Sequence, residues 1–451
     1  MAGLSVLASL FGRRSSNIVE QQIMQALNSE EIGRLNKFKR AWSAYCGQYP
    51  RVLKVRAGQP DDNVLPNYAR VIVDKGVSFL FGQDVAFELS ETEQTEAEDW
   101  LAACWQANRQ ATFLHKLALN GAICGHAFVK IVPREGQFPR LVILDPATVT
   151  PFWNPDDIED VVAYRIQYPA VDPSTGKPIS VRQIIDRREN GWHVLDQVAQ
   201  ADSAAWTTTS EMAWPYDWPP IVGCQNLPAP NEYWGISDLE DDILGLQGNI
   251  HFLLSNLARI IRYHGHPKTV AKGVNAAQLN VAVDETIVLP SPEADLRNLE
   301  MTSDLSGSIN LIRLLEEAMH EIARVPEIAT GKVESIGALS GVALQILYQP
   351  LLEKTETKRR TYGDMLTELN RRLLALAGFG EDNETTIHWP ELLPRDPLQE
   401  RQAALLDQQL GVSTDTILQR LGYDPDLERT KRQLAAEDAA VVAARMYNRG
   451  A

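Results

Sequence analysis

The chain is poor in the residues that announce redox, secreted or metal-binding proteins. Only four cysteines occur in 451 residues, Cys46, Cys104, Cys124 and Cys224, and none forms a CxxC pair. Their wide spacing argues against a disulfide framework and offers no zinc pattern, so reduced, buried thiols are expected. No apolar run approaches the roughly 20 residues that span a bilayer, so no membrane partner is expected. The mildly apolar start, Met1 to Phe11, lacks a basic flank before it and is followed by Arg13 and Arg14. It reads as a flexible or amphipathic leader, not a signal peptide. Positive charge is also scarce. Lys and Arg number 43 against 59 Asp and Glu, a net charge of −16. Composition alone argues against phosphate-contacting proteins, which need cations.

Catalytic motifs are missing as well. Gly331-Lys332 lacks the upstream glycine and the following hydroxyl of a phosphate-binding loop. No GxSxG, HExxH or EF-hand loop occurs. His264 and His266, with His251 a few turns earlier, read as a polar cluster at a helix end, because a metal would need a third ligand in the right geometry. The acidic pairs Asp156–Asp157, Glu159–Asp160 and Asp241–Asp242 fall at turns and helix starts, where carboxylates are favoured anyway. No catalytic residue, cofactor or metal ligand is assigned.

What is present is a long helical frame around a β-rich middle. Helical periodicity runs through Ile18, Ile23, Leu27, Ile32, Leu35 and Trp42, predicting a helix over 17–49. Further helices are expected over 67–82, with a stripe through Val71 and Leu80 that stops at Gly82, and over 91–120. From 126 to 225 the pattern turns to short strands: His126–Val132, Leu141–Leu144, Val161–Tyr168, Ile179–Asp186 and Trp192–Asp196. Hairpin signals sit at Asp172–Gly176 and Glu189–Gly191. The Trp-rich stretch 202–234, with Trp206, Trp214, Trp218 and Trp234, reads as an irregular packed loop and not as a ligand cage. Leu239, Ile243, Leu246, Ile250, Leu253, Leu257 and Ile260 then recur at alternating fours and threes, the seam of a helix packed along other helices. Such a helix runs roughly 40 Å. Asp238 to Asp242 make its first turn acidic, and Arg259 and Arg262 make its end basic. Short strands, Lys268–Ala271 and Thr286–Leu289, follow. A second helix carries Ile312, Leu315, Met319 and Ile322 on one face. The stretch Glu327 to Ser340, with Gly331 and Gly337, reads as a mobile loop. A helix over 341–377 follows, with Tyr362, Leu366, Leu369, Leu373 and Leu376 in phase, and Pro350 predicts a kink in it. Ser413 caps a helix that stops at Gly422, and Asp424–Pro425 opens the last one. The fold class expected is α+β, mainly α.

Four stretches together resemble a known family. They are Asn67 to Asp74 with Phe79 to Gly82; Leu144 to Pro146 with Val149 and Pro151; Gly235 to Leu239 with Leu246 and Gln247; and Ala338 to Leu344 with Pro350, Leu351, Glu353 and Lys354. Gly411 to Ser413 and Leu421–Gly422 add to them. In order and spacing, over about 65 to 435, the chain resembles the siphophage-type portal proteins of tailed bacteriophages.

The resemblance implies a homo-oligomeric ring, usually of twelve copies, around a channel for double-stranded DNA. It implies a portal fold with an N-terminal helical segment (1–65), a wing (66–235) containing the β-rich module 126–225, stem helices (236–265 and 301–326), a clip (266–300), a tunnel loop (327–340), a kinked helix returning to the wing (341–395) and a helical crown (396–451). In those terms Glu327, Thr330, Lys332, Glu334 and Ser335 border the channel. Lys268, Lys272, Asn275, Gln278 and Glu285 face the terminase or adaptor. Pro350 is the kink, and Leu239, Ile243, Leu246, Ile250, Leu253 and Leu257 pack the stem. The partners implied are the large terminase subunit, head-tail adaptors, and major capsid and scaffolding proteins, with assembly in the host cytoplasm at a capsid vertex. The acidic charge then acquires a purpose: facing the lumen, it would repel DNA from the wall and let it slide. The competing readings are another minor capsid or head-completion protein, or a cytoplasmic enzyme with an unrecognised site.

Overall fold

The computed structural model describes residues 17–55, 57–58, 60–89, 95–200, 205–265, 269–272, 293–298, 305–330, 341–393 and 397–435. The chain divides into two compact units, one of Met1–Glu334 with Tyr348–Pro390, the other of Ser335–Leu347 with Glu391–Ala451. The class is mixed α/β, with about half of the chain helical.

In the first unit, α1 (Asn17–Tyr45) ends earlier than the expected 49. Gly47 takes a positive φ there, and the Asn67 side chain donates to the Tyr45 carbonyl at 2.9 Å. The other end of Asn67 caps α2 (Tyr68–Phe81), accepting from Arg70 N at 2.9 Å. The buried stripe of α2 is Ala69, Ile72, Val73, Gly76, Val77, Leu80 and Phe81, one position away from the Val71 phase read in the sequence. Strand β1 (Ala86–Leu89) follows.

The single helix expected over 91–120 is two, α3 (Thr95–Ala107) and α4 (Gln110–Cys124). Asn108 accounts for the break. Its side chain is buried, donates to the Cys104 and Pro139 carbonyls at 3.0 and 2.9 Å, and accepts from Leu141 N at 2.9 Å. Arg109 turns the chain in a left-handed conformation, φ 57°.

The β-rich stretch forms two sheets. Strands β2 (His126–Val132) and β3 (Arg140–Leu144) pair antiparallel, and β9 (Ile221–Gln225) joins β2 on its other edge. A five-stranded antiparallel meander runs β4 (Val149–Asn154), β5 (Asp157–Val171), β6 (Pro178–Arg188), β7 (Gly191–Gln200) and β8 (Thr207–Ala213). Both hairpin signals fall at its turns: Asp172 N donates to the Lys177 carbonyl, and Arg188 pairs with Gly191. The 202–234 stretch therefore contains two strands, β8 and β9, where only a loop was expected. The tryptophans around them do pack: Trp214 and Trp218 are buried against each other, and Arg372 lies over Trp218.

Helix α5 (Asp241–Gly265) leads to a short antiparallel ladder, β10 (Thr269–Lys272) with β11 (Asp295–Asn298). The strand expected at Thr286–Leu289 lies outside the described residues. Helix α6 (Ser306–Ala323) returns along α5 and ends at Arg324, φ 56°. A short 3-10 turn (Glu327–Thr330) follows. Helix α7 (Gly341–Ala377) is helical throughout, Pro350 included. Its residues Tyr362, Leu366, Leu369 and Leu373 are fully buried, so the stripe read from the sequence is the core face. Strand β12 (Thr385–His388) closes the unit by pairing with β1.

The second unit holds α8 (Pro397–Gln409), α9 (Thr414–Arg420) and a helical stretch over 425–435. Ser413 caps α9 by accepting from Thr416 N at 3.2 Å, and Asp424 accepts from Asp426 N at 2.9 Å. Among the described residues no helix is long and apolar enough to cross a membrane.

Candidate functional site

The start of α5 is fixed before the helix begins. Gly125 ends α4 with φ 80°, and a Cβ there would stand 2.2 Å from the Gly235 carbonyl oxygen, so only glycine allows this approach. Asn226 N donates to the Gly125 carbonyl at 2.8 Å, and Asp238 N donates to the Ala122 carbonyl at 2.8 Å. The Ser237 hydroxyl is shared between the Ala122 and Ile123 carbonyls at 3.0 and 2.8 Å. These bonds satisfy carbonyls that the end of α4 would otherwise leave unpaired.

The acidic start of α5 is not the uniform dipole cap expected. Glu240 pairs with Lys37 of α1 at 3.0 Å, and Asp241 pairs with Arg40. Asp238 precedes the helix and is buried among charges. Its Oδ1 accepts from Lys354 Nζ at 3.1 Å and from Asn226 Nδ2 at 3.2 Å, and its Oδ2 accepts from Lys358 Nζ at 2.6 Å. Burial alone would raise the carboxyl of Asp238, but the two ammonium groups more than offset it and hold it at about 2. Burial pushes Lys358 down to about 8 against the attraction of Asp238, and the neighbouring charge of Lys354 pushes the same way.

The face of α5 turned toward its own chain is partly polar. Gln247 accepts from Ala69 N at 3.1 Å and donates to the Pro66 carbonyl at 2.5 Å. His251 Nε2 reaches the same carbonyl at 2.8 Å, and Ser255 Oγ accepts from Val64 N at 2.9 Å. Farther along, Arg259 and Arg262 grip Asp62, Arg262 with both ends of its fork at 2.6 and 2.7 Å. Those bonds hold Asp62 below the usual carboxylate range. The two arginines thus serve an ion pair across the chain and not only the helix dipole.

Of the six stem residues, Leu239, Ile243 and Ile250 are buried, while Leu246, Leu253 and Leu257 are half-buried. The interior phase is Ile243, Gln247, Ile250, His251 and Ser255, so the predicted seam is only partly the inner face. On α6, Ile312 and Met319 are buried and Leu315 is half-buried. Ile322, expected with them, is turned outward by the helical phase. Phe252 and Ile261 on α5, with Ile309, Leu311, Leu314 and Ile322 on α6, remain 46–57% exposed.

The tunnel-loop and clip residues are only partly described. Glu327 lies in the 3-10 turn beside buried Ala329, and Thr330 ends that turn. Lys272 is exposed at the end of β10. Lys268, Asn275, Gln278, Glu285, Lys332, Glu334 and Ser335 lie outside the described residues, as does His266. The side chain of His264 lies outside the described residues as well, and no cluster suited to a metal occurs among the described residues.

Sequence reasoning missed the Asp238 cluster. The available signal was phase: Leu351, Thr355, Lys358, Tyr362, Leu366, Leu369 and Leu373 follow one helical stripe, and Lys358 is a cation on it.

The site is thus two long helices joined through a small β ladder, with buried ion pairs and hydrogen bonds fixing where each helix starts and ends. The family model of phage portal proteins, SPP1 Gp6-like, matches residues 28–442. The chain belongs to this family, and it is a phage portal protein and a virion component. Portal proteins of this kind are generally structural. No curated protein matched the sequence. Among solved structures, the chain is similar to one described as the neck of an empty GTA particle computed with C6 symmetry. That likeness has 12% identity and a TM-score of 0.50, and it covers 83% of this chain and 96% of that one. It supports the fold.

Proposed function

We propose that copies of this chain, about twelve, form a ring at one capsid vertex, through which DNA is packaged, retained and later ejected. The observation that carries this is the apolar surface on α5 and α6. Large side chains there, Phe252, Ile261, Ile309, Leu311, Leu314 and Ile322 among them, stay about half exposed in the single chain, and a neighbouring copy would cover them. In this reading α5 and α6 are the stem, β10 and β11 belong to the clip, residues 327–340 border the channel, and residues 396–451 form the crown. Pro350 supplies a kink in α7, since proline removes a backbone donor and crowds the preceding turn.

The chain contributes no energy of its own and is not an enzyme. A terminase would dock at the clip, with Lys268, Lys272, Asn275, Gln278 and Glu285 at the contact, and head-tail adaptors would replace it there. Major capsid and scaffolding proteins would surround the wing. The net charge of −16 per copy suits a lumen that DNA slides past. Cations near DNA should then be few. Glu327, Thr330, Glu334 and Ser335 flank Lys332, the one cation of its loop. Replacing Lys332 by alanine should change packaging efficiency or DNA retention while the ring persists on negative-stain images. Unchanged packaging would remove Lys332 from the channel wall.

A further inference from the structure

Asp238 is an anion facing two buried cations, and the side chains that meet there come from different parts of the chain. Asp238 immediately precedes α5, and Lys354 and Lys358 lie one turn apart on α7. Lys354 Nζ also donates to the Ala323 carbonyl, in the last turn of α6, at 2.9 Å. One ammonium group therefore joins the start of α5, the end of α6 and the middle of α7. A cation at the end of α6 also suits that helix's dipole. The room for the cluster comes from α2: a Cβ on Gly76 would lie 3.1 Å from Asp238 Oδ2 and 3.7 Å from Lys358 Nζ.

One lysine would suffice to neutralise Asp238 and tie these elements. The second leaves two ammonium groups on one carboxylate in a site closed to water. A buried charge without a counter-charge is costly, so such a cluster is not built for maximum stability. Asp238 and Lys354 are the charged groups acting on Lys358. Gly76, Asn226 and the Ala323 carbonyl bring no charge, and His320 on α6 engages the Val325 carbonyl at 2.8 Å instead.

We propose that Asp238, Lys354 and Lys358 form a releasable latch that sets α7 against both helices α5 and α6, with Lys354 as the tie and Lys358 as the surplus cation that keeps the tie releasable. The last turn of α6 is thereby tied to α7 at the Ala323 carbonyl. The latch does not rest on the function proposed above.

Hydrogen exchange on the full-length protein separates these roles. Lys354→Met should speed exchange of the amides of Arg324 and Val325 several-fold, because the Ala323 carbonyl loses its donor. Lys358→Met keeps the volume and removes the surplus charge, so it should slow exchange at Asp238 and Val325 and leave Tm equal or higher. If Lys358→Met loosens these amides as Lys354→Met does, both lysines are ordinary structural partners and the latch is wrong. The unsubstituted protein gives a second test that needs no variant to fold. Lys358 is charged below about pH 8, where its surplus charge strains the latch. Protection at Asp238 and Val325, corrected for intrinsic rates, should rise between about pH 7 and about pH 9.5 as that proton leaves. Flat or falling protection over that range would overturn the proposal.

Discussion

His126, at the start of β2, is buried among Phe128, Tyr233 and Trp234, with ring centroids 4.5, 4.9 and 5.2 Å away. Neither ring nitrogen has a hydrogen-bond partner among the described residues. Burial drives its pKa down to about 3, with Arg34 pushing the same way. The unfolded chain therefore binds a proton that the folded chain refuses between about pH 6.5 and about pH 3, so stability falls as pH drops through that window. His126→Phe should weaken this acid sensitivity. At neutral pH it should hold or raise stability by up to about 2 kcal/mol, since two unsatisfied polar atoms leave the core. Thermal denaturation at pH 7 and pH 4 reads both effects. A loss of more than about 1 kcal/mol at neutral pH would show that the imidazole is satisfied. Asp238 works in the opposite chemical sense but the same direction in pH. Its carboxyl is held at about 2, so its contribution is complete above the ordinary carboxylate range and is lost as pH falls through about 2. Neither environment was legible in the sequence, because nothing local marks His126 or Asp238 as surrounded by partners far along the chain.

Close approach between elements explains where sequence reading succeeded and failed. Helix α4 crosses α7 at Gly121, where a Cβ would stand 1.8 Å from the Tyr362 hydroxyl and 3.1 Å from its ring. Tyr362 is fully buried and cannot swing away. Gly121→Ala should destabilise by about 1–3 kcal/mol in denaturant unfolding, and Tyr362→Phe in the same chain should recover part of that loss. A neutral Gly121→Ala would mean that α4 and α7 are not packed this tightly. The strands His126–Val132 and Leu141–Leu144, the β6 and β7 hairpin and the stripe of α7 were readable, because alternation, turn residues and helical phase are local signals. The break between α3 and α4 was not, since it depends on Asn108 reaching Pro139 and Leu141. Strand β8 was missed because all seven of its residues are exposed and no alternation marks it. The stripe from Leu239 to Leu257 coincides only in part with the face that α5 turns to its own chain, where Leu239, Ile243 and Ile250 are buried. Gln247, His251 and Ser255 face inward because Val64, Pro66 and Ala69 offer them hydrogen bonds there.

Across the whole molecule, membership in the portal family accords with the long helices, and in the proposed ring the acidic charge would suit a wall that DNA slides past. The half-exposed residues Phe252, Ile261, Ile309, Leu311, Leu314 and Ile322 make the single chain incomplete in this account. The direct test is the native mass of the purified full-length protein, taken with negative-stain images of the same sample. The account predicts a closed ring with a central hole and a mass of about twelve subunits. A stable monomer at high protein concentration, with α5 and α6 folded and protected, would contradict it.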